Sequence, residues 1–258
     1  MPEKKRQSVS DSLETTERML PHMPYLLQDM WALGCSEKDI LQVVGELDLP
    51  VKTTVLDLGC GKGAMAVQLA QKYGFSITGI DAMPEFLEVA RQKAAEYQVS
   101  HLCGFMEQDI LKYAVASHDF DLVILASLGG IFGSIRDTVA QLRRQVRSGG
   151  YMIIDDGYLK NKKKLNRKGY AHVRSHAETL KALTCFGDRL IREINTSVYS
   201  REINIQYLTL IKRRGQELGQ KHSDLKKDLD SYINLQAEEC EVIDREIESA
   251  LWVLRKKI

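Results

Sequence analysis

Little in this chain marks a partner by charge. Its 36 lysines and arginines balance 35 aspartates and glutamates, leaving a formal net charge of +1. No global field therefore draws it toward nucleic acid, an anionic membrane or acidic substrates, and any such preference must come from a local patch. The five cysteines (Cys35, Cys60, Cys103, Cys185 and Cys240) are scattered, odd in number and form no C-x-x-C pair. That argues against a disulfide framework and against a zinc site, and reduced, mostly buried thiols are expected. No apolar run approaches the length needed to span a bilayer, and the first residues lack the apolar core of a secretory signal. Cytoplasmic location is the default expectation. There is no internal repeat and no low-complexity tract. What is present is an ordinary globular composition: 258 residues, 44% hydrophobic and 28% charged, enough for one large domain with an appendage or for two small ones.

The chain opens with a polar stretch of about ten residues, expected to be disordered. From Asp11 to Leu47 the apolar spacing is helical, with Ser36 as an N-cap and Pro50 closing the segment. The next hundred residues alternate in type. Strands are expected at 53–57, 76–81, 102–106, 120–126 and 151–155, the last entered through a Ser148-Gly-Gly150 turn. Helices are expected at 63–72, from Pro84 onward, and at 134–146. Such alternation means right-handed βαβ units and a parallel sheet covered on both faces. Beyond it lie a basic loop (Lys160, Lys162, Lys163, Lys164, Arg167 and Lys168), a helix at 172–183 and a strand at 188–194. A long charged helical stretch over 200–245 is expected to break near Gly215, Gly219 and Ser223, and Ala250–Leu254 reads as a final strand.

The chemistry starts at Val55-Leu-Asp-Leu-Gly-Cys-Gly-Lys-Gly63, placed between a strand and a helix. Glycines there let a ligand approach the backbone, and the helix start offers free N–H groups. Alone they are a weak signal, and Gly59-x-Gly61-x-x-Ala64 also fits a loose dinucleotide pattern. Asp57 separates the candidates. A dinucleotide would bring an anionic pyrophosphate to this turn, which a carboxylate repels; S-adenosylmethionine brings an ammonium and a sulfonium, which it attracts. Two further acids fall at later strand ends. Asp81 is placed to accept ribose hydroxyls, and Asp109 to accept from an adenine amino group while Ile110 packs on the ring.

These stretches, with Gly79-Ile-Asp81 and Gln108-Asp-Ile110, resemble the first three motifs of class I S-adenosylmethionine-dependent methyltransferases. The runs 120–126 and 148–155 resemble that family's fourth and fifth strands, so the match covers roughly residues 50 to 156. The resemblance implies a doubly wound α/β fold with a seven-stranded, mostly parallel sheet in the order 3-2-1-4-5-7-6, its last strand antiparallel. Residues 1–48 would then be an N-terminal helical segment, 49–199 the cofactor-binding core, 200–246 a helical insertion serving as lid or dimer surface, and 247–258 the returning strand. It further implies cofactor contacts at Asp57, Gly59, Gly61, Asp81, Asp109 and Ile110, with Met83 and Ser127 as weaker additions.

Methyl transfer from a sulfonium is an in-line displacement, for which the protein mainly aligns the reactants and excludes water; a catalytic triad is not expected. The acceptor belongs at the ends of the fourth and fifth strands. Candidates there are Ser127, Asp155, Asp156 and Tyr158, with Tyr25 and Trp31 from the N-terminal segment. Asp155 and Asp156 suit an amine, or a base. His172 and His176 are expected on one helical face, without a third metal ligand. The Ala126-Ser-Leu-Gly-Gly130 run lacks the Asn/Asp-Pro-Pro-aromatic signature of base amino-group modifiers. A small-molecule acceptor, in a monomer or homodimer, is the preferred expectation. An RNA or protein methyltransferase using the basic loop, a non-catalytic cofactor binder and an NAD-dependent oxidoreductase are the alternatives.

Overall fold

A computed structural model of the chain describes residues 3–161, 165, 167 and 169–258. Its strands are β1 (Thr54–Leu58), β2 (Ser76–Asp81), β3 (Cys103–Glu107), β4 (Phe120–Ala126), β5 (Val146–Leu159), β6 (Arg189–Asn195) and β7 (Ile247–Arg255). They form one sheet in the order β3-β2-β1-β4-β5-β7-β6. The first five pair in parallel, and β7 runs antiparallel to both β5 and β6. This is the topology that the motifs imply.

Helices α1 (Glu3–Ser12), α2 (Met23–Leu26) and α3 (Glu37–Glu46) precede the sheet. The crossovers are α4 (Ala64–Tyr73), α5 (Pro84–Glu96), α6 (Ile110–Tyr113), α7 (Ile135–Gln145) and α8 (His176–Leu183). Between β6 and β7 stand α9 (Ser197–Lys221) and α10 (Lys226–Glu246). Local chemistry sets several ends. Pro84 starts α5 with its φ already helical. Ser134 and Asp137 exchange side-chain and backbone hydrogen bonds to cap α7.

Strand alternation divides the core. On one face Val55, Ile77, Leu122, Ile124, Ile153 and Val253 pack against α3 and α4; on the other Leu56, Ile80, Val123, Met152 and Trp252 meet α7 and α8. A third cluster lies off the sheet. Leu20, Met23, Leu26, Leu27 and Met30 meet Phe86 of α5 and the apolar side of α9 and α10, including Ile211, Leu218, Leu229 and Tyr232. Leu225, Leu229 and Tyr232 of the insertion are thus covered largely by the N-terminal segment and not by the sheet.

Four details differ from the sequence reading. Residues 3–12 are helical, held by Val9, which is buried in the third cluster. Ser148-Gly-Gly150 is no separate turn, because β5 begins at Val146 and the register with β4 shifts there instead. Gly215 and Gly219 sit inside α9, and the break falls at His222 and Ser223. A Cβ on Gly215 would come within 2.7 Å of Ile233 in α10, so that glycine marks a close helix contact. Finally, α8 begins at His176, so His172 is not on its face. Cys35 and Cys60 are buried, Cys103 and Cys240 half-buried and Cys185 exposed, all as free thiols. Lys162, Lys163, Lys164 and Lys168 of the basic loop lie outside the described residues. Among the described residues no helix is long and apolar enough to cross a membrane.

Candidate active site

The turn after β1 is built for close approach. Gly59 has φ +73°, and a Cβ there would lie 2.3 Å from Leu128; Gly63 also has φ +73°, and its Cβ would meet Ala90 of α5 at 2.7 Å. No other residue satisfies both the left-handed backbone and the missing space. Asp81, at the end of β2, holds the turn in place. One carboxylate oxygen accepts from Gly61 N–H (2.9 Å) and the other from Met83 N–H (2.8 Å). Asp109 ends the loop after β3 and caps α6 through Leu111 N–H (2.9 Å), with Ile110 buried beside it.

Asp57 is only 4% exposed, and among the described residues no group donates to its carboxylate. Burial, with the like charge of Asp81 second, pushes its carboxyl up to about 7. A buried acid without a partner is costly unless something cationic arrives. It lines a small cavity of about 40 Å³ together with Gly59, Gly61, Trp31, Leu33 and Cys35. The donor set therefore fits the ammonium end of S-adenosylmethionine. Asp81, Met83, Asp109 and Ile110 stand at the ends of β2 and β3, outside that cavity.

A second, larger cavity of about 560 Å³ opens over the ends of β4 and β5, roofed by α9 and α10. Ser127 lines it, exposed and held at φ +55°, its N–H donating to Asp155 O at 3.1 Å. Asp155 lines it too, although buried; its carboxylate accepts from Ser36 N–H (2.9 Å), and burial pushes it up to about 7 against that bond. Asp156 accepts from His172 Nε2 (2.9 Å). Burial alone would lower the imidazole pKa, but the Asp156 carboxylate outweighs it and the net shift is upward.

The structure brings Ser127, Asp155 and Asp156 together and leaves the two tyrosines out. Tyr25 donates to Glu217 of α9 (2.8 Å) beneath Arg214 and Lys221, which places it at a helix contact. Tyr158 packs against His176 and Trp252, its ring lodged with the second core. Trp31 lines the small cavity over the glycine turn, where its Nε1 donates to Lys62 O at 2.9 Å. His172 and His176 take separate partners, Asp156 and Glu193.

Sequence reasoning missed Glu14, Tyr170, Tyr207 and Glu239, all of which line the large cavity. Tyr170 donates to Glu239. Glu14 pairs with Arg167, yet burial and then Glu239 push it up to about 7. These residues are far apart in the chain, and the packing of α9, α10 and the loop after β5 around the N-terminal segment unites them. The one available signal was Tyr170 at the end of the basic loop.

Sheet order, glycine turn and acids at three successive strand ends define the class I methyltransferase fold. The methyltransferase-domain family model matches residues 50–230, and the chain belongs to that family, whose methyl donor is S-adenosylmethionine. YqeM of Bacillus subtilis is 33% identical over 109 residues, 42% of this chain and 37% of that one. The YjhP structure from Escherichia coli superposes with TM-score 0.77 at 16% identity, covering 91% of this chain and 98% of that one. A methyltransferase structure from Thiobacillus denitrificans, in complex with S-adenosyl-L-homocysteine, gives the same TM-score at 15% identity and the same coverage. This chain's matches to the curated relatives span under half of their length. Other relatives are named for a hydroquinone, a ribosomal RNA uracil and a release-factor glutamine as acceptors.

Proposed function

We propose that the protein transfers the methyl group of S-adenosylmethionine to a small molecule carrying a basic nitrogen. The observation that carries this is the large cavity. Its volume of about 560 Å³ suits a small ligand, and it is walled by the N-terminal segment, the strand ends and the insertion together. Among the described residues five acids line it (Asp11, Glu14, Asp155, Asp156 and Glu239) against one basic side chain, His172, with Glu14 paired to Arg167 behind the wall. Such a wall favours a cationic guest, and Tyr170, Tyr207 and Tyr232 line it as well. The insertion acts as the lid on this reading.

The cofactor, when bound, supplies an activated methyl on sulfur. The chain's residues orient the acceptor, shield it from water and take its proton. An ammonium must lose a proton before its lone pair can attack the methyl carbon, with the C–S bond pair leaving on sulfur. Asp155 and Glu14, both lifted to about 7, are able to receive that proton near neutrality. Of the described cations of the basic loop, Lys160 is engaged by α10 and Arg167 by Glu14.

Radiolabelled methyl transfer from S-adenosylmethionine to a panel of small amines, phenols, carboxylic acids, total RNA and protein tests the proposal. Labelled product is expected in the amine arm. Transfer to RNA or protein alone overturns it, as does cofactor binding without turnover in every arm.

A further inference from the structure

Residues 27–36 form neither helix nor strand, yet Leu27, Met30, Ala32, Cys35 and Ser36 are buried. A segment without its own backbone ladder must find hydrogen-bond partners elsewhere. It finds them on two sides. On the cofactor side, Lys62 of the glycine turn sends its side chain inward, 3% exposed, and its ammonium donates to the carbonyls of Leu27 and Met30, the latter at 2.8 Å. Trp31 returns a bond to Lys62 O. On the lid side, Tyr207 donates to Ala32 O and Tyr199 to Cys35 O (3.2 Å), while Arg213 and Arg214 hold Asp29. A buried ammonium is expensive, and here its hydrogen bonds come from this strap, with the Phe86 ring of α5 5.6 Å away.

The strap is a wall shared by both cavities. Trp31, Ala32, Leu33 and Cys35 close the space over the glycine turn, and Leu27, Met30, Leu33 and Gly34 face the larger one. The space over the turn, about 40 Å³, has room for about three water molecules and not for a methionine moiety. We propose that Lys62 is a positioning residue: it ties the strap over the glycine turn, the strap must lift to admit the cofactor, and that movement reshapes the acceptor cavity behind it.

Stopped-flow fluorescence of the full chain with S-adenosylhomocysteine reads this directly. Trp31 lies on the moving wall, and Trp252, the other tryptophan, is wholly buried in the sheet core. In the wild type the observed rate is expected to saturate with ligand, at the rate of strap opening. Lys62→Met should raise that plateau by about fivefold or more, and affinity should rise because less free energy is spent lifting the strap. Lys62→Arg, which keeps donors for both carbonyls, should restore wild-type behaviour. Hydrogen exchange over 27–36 should quicken in Lys62→Met while β1 and β4 stay protected. Tyr207→Phe removes one of the ties to α9 and leaves Lys62 in place, and should also raise the plateau, although Tyr207 does not line the space over the turn. An unchanged plateau and unchanged exchange in Lys62→Met overturn the positioning role. An unchanged plateau in Tyr207→Phe overturns the shared wall, and that variant carries the test if Lys62→Met does not fold.

Discussion

At the scale of single residues, charge sign does more than glycine spacing. Asp57 lies buried without a donor, so its carboxyl ionises only near pH 7 in the free protein. A bound ammonium favours the ionised form. Binding therefore releases a proton, and affinity for S-adenosylhomocysteine should tighten as pH rises from 6 to 8. Calorimetry across that range checks the slope, and Asp57→Asn should flatten it while weakening binding by about tenfold or more, since hydrogen bonds to charged groups contribute about 1.5–3 kcal/mol. A second test concerns the Asp156–His172 pair. Asp156 lifts an imidazole that burial alone would depress, so Asp156→Asn should drop the His172 pKa below its ordinary value of about 6.5, read by NMR titration of the ring. An unmoved titration would mean that the carboxylate does not govern the ring. The positions of Asp57, Asp81 and Asp109 were legible in the sequence because each lies at or just past the end of a recognisable strand. His172 was legible only as a histidine; its partnership with Asp156, sixteen residues earlier, depends on the loop after β5 folding back under Gly129 and Gly130.

At the scale of elements, periodicity located β2 and β4 to the residue, since apolar runs bounded by turn residues have few alternative readings. It failed where a glycine serves packing and not termination. Gly215 is buried against Ile233 of α10, whereas a Cβ on Gly219 would only reach ordinary contact with Leu229 at 3.6 Å. The two positions should therefore respond oppositely to added side chain. Gly219→Ala is expected to stabilise the protein by about 0.5–1 kcal/mol, the helix-propensity difference. Gly215→Leu should destabilise it by about 1–3 kcal/mol through overpacking of the helix pair. Urea denaturation of both variants decides, and equal effects would remove the packing argument. The long cap of buried carbonyls over residues 27–36 had no periodic signature at all. Its order comes from Lys62, Tyr199 and Tyr207, none of them its neighbours in sequence.

Across the whole molecule, the parallel half of the sheet was readable because each βαβ unit is closed by local sequence, while the seat of the helical insertion depended on contacts more than 170 residues apart, such as Arg214 with Asp29. Burial of acids also gives the free protein a pH signature. Asp57, Asp155 and Glu14 have folded pKa values near 7, above those of an unfolded carboxylate, so their contribution is present at low pH and is lost as pH rises through 7. His172, also raised, acts in the same direction. The melting temperature without ligand should fall from pH 5 to pH 7.5 in calorimetry; a flat or rising curve would contradict the assigned burial. A last consequence belongs to the order of synthesis. β7 lies between β5 and β6 and is the final strand, so both neighbours wait for it while all of α9 and α10 is being made. During that interval a growing chain presents two open strand edges, the kind of surface on which other chains nucleate. The helical pair, whose mutual contacts are local, is able to form first and deliver β7 into the gap, so the covering of the cavity precedes completion of its floor.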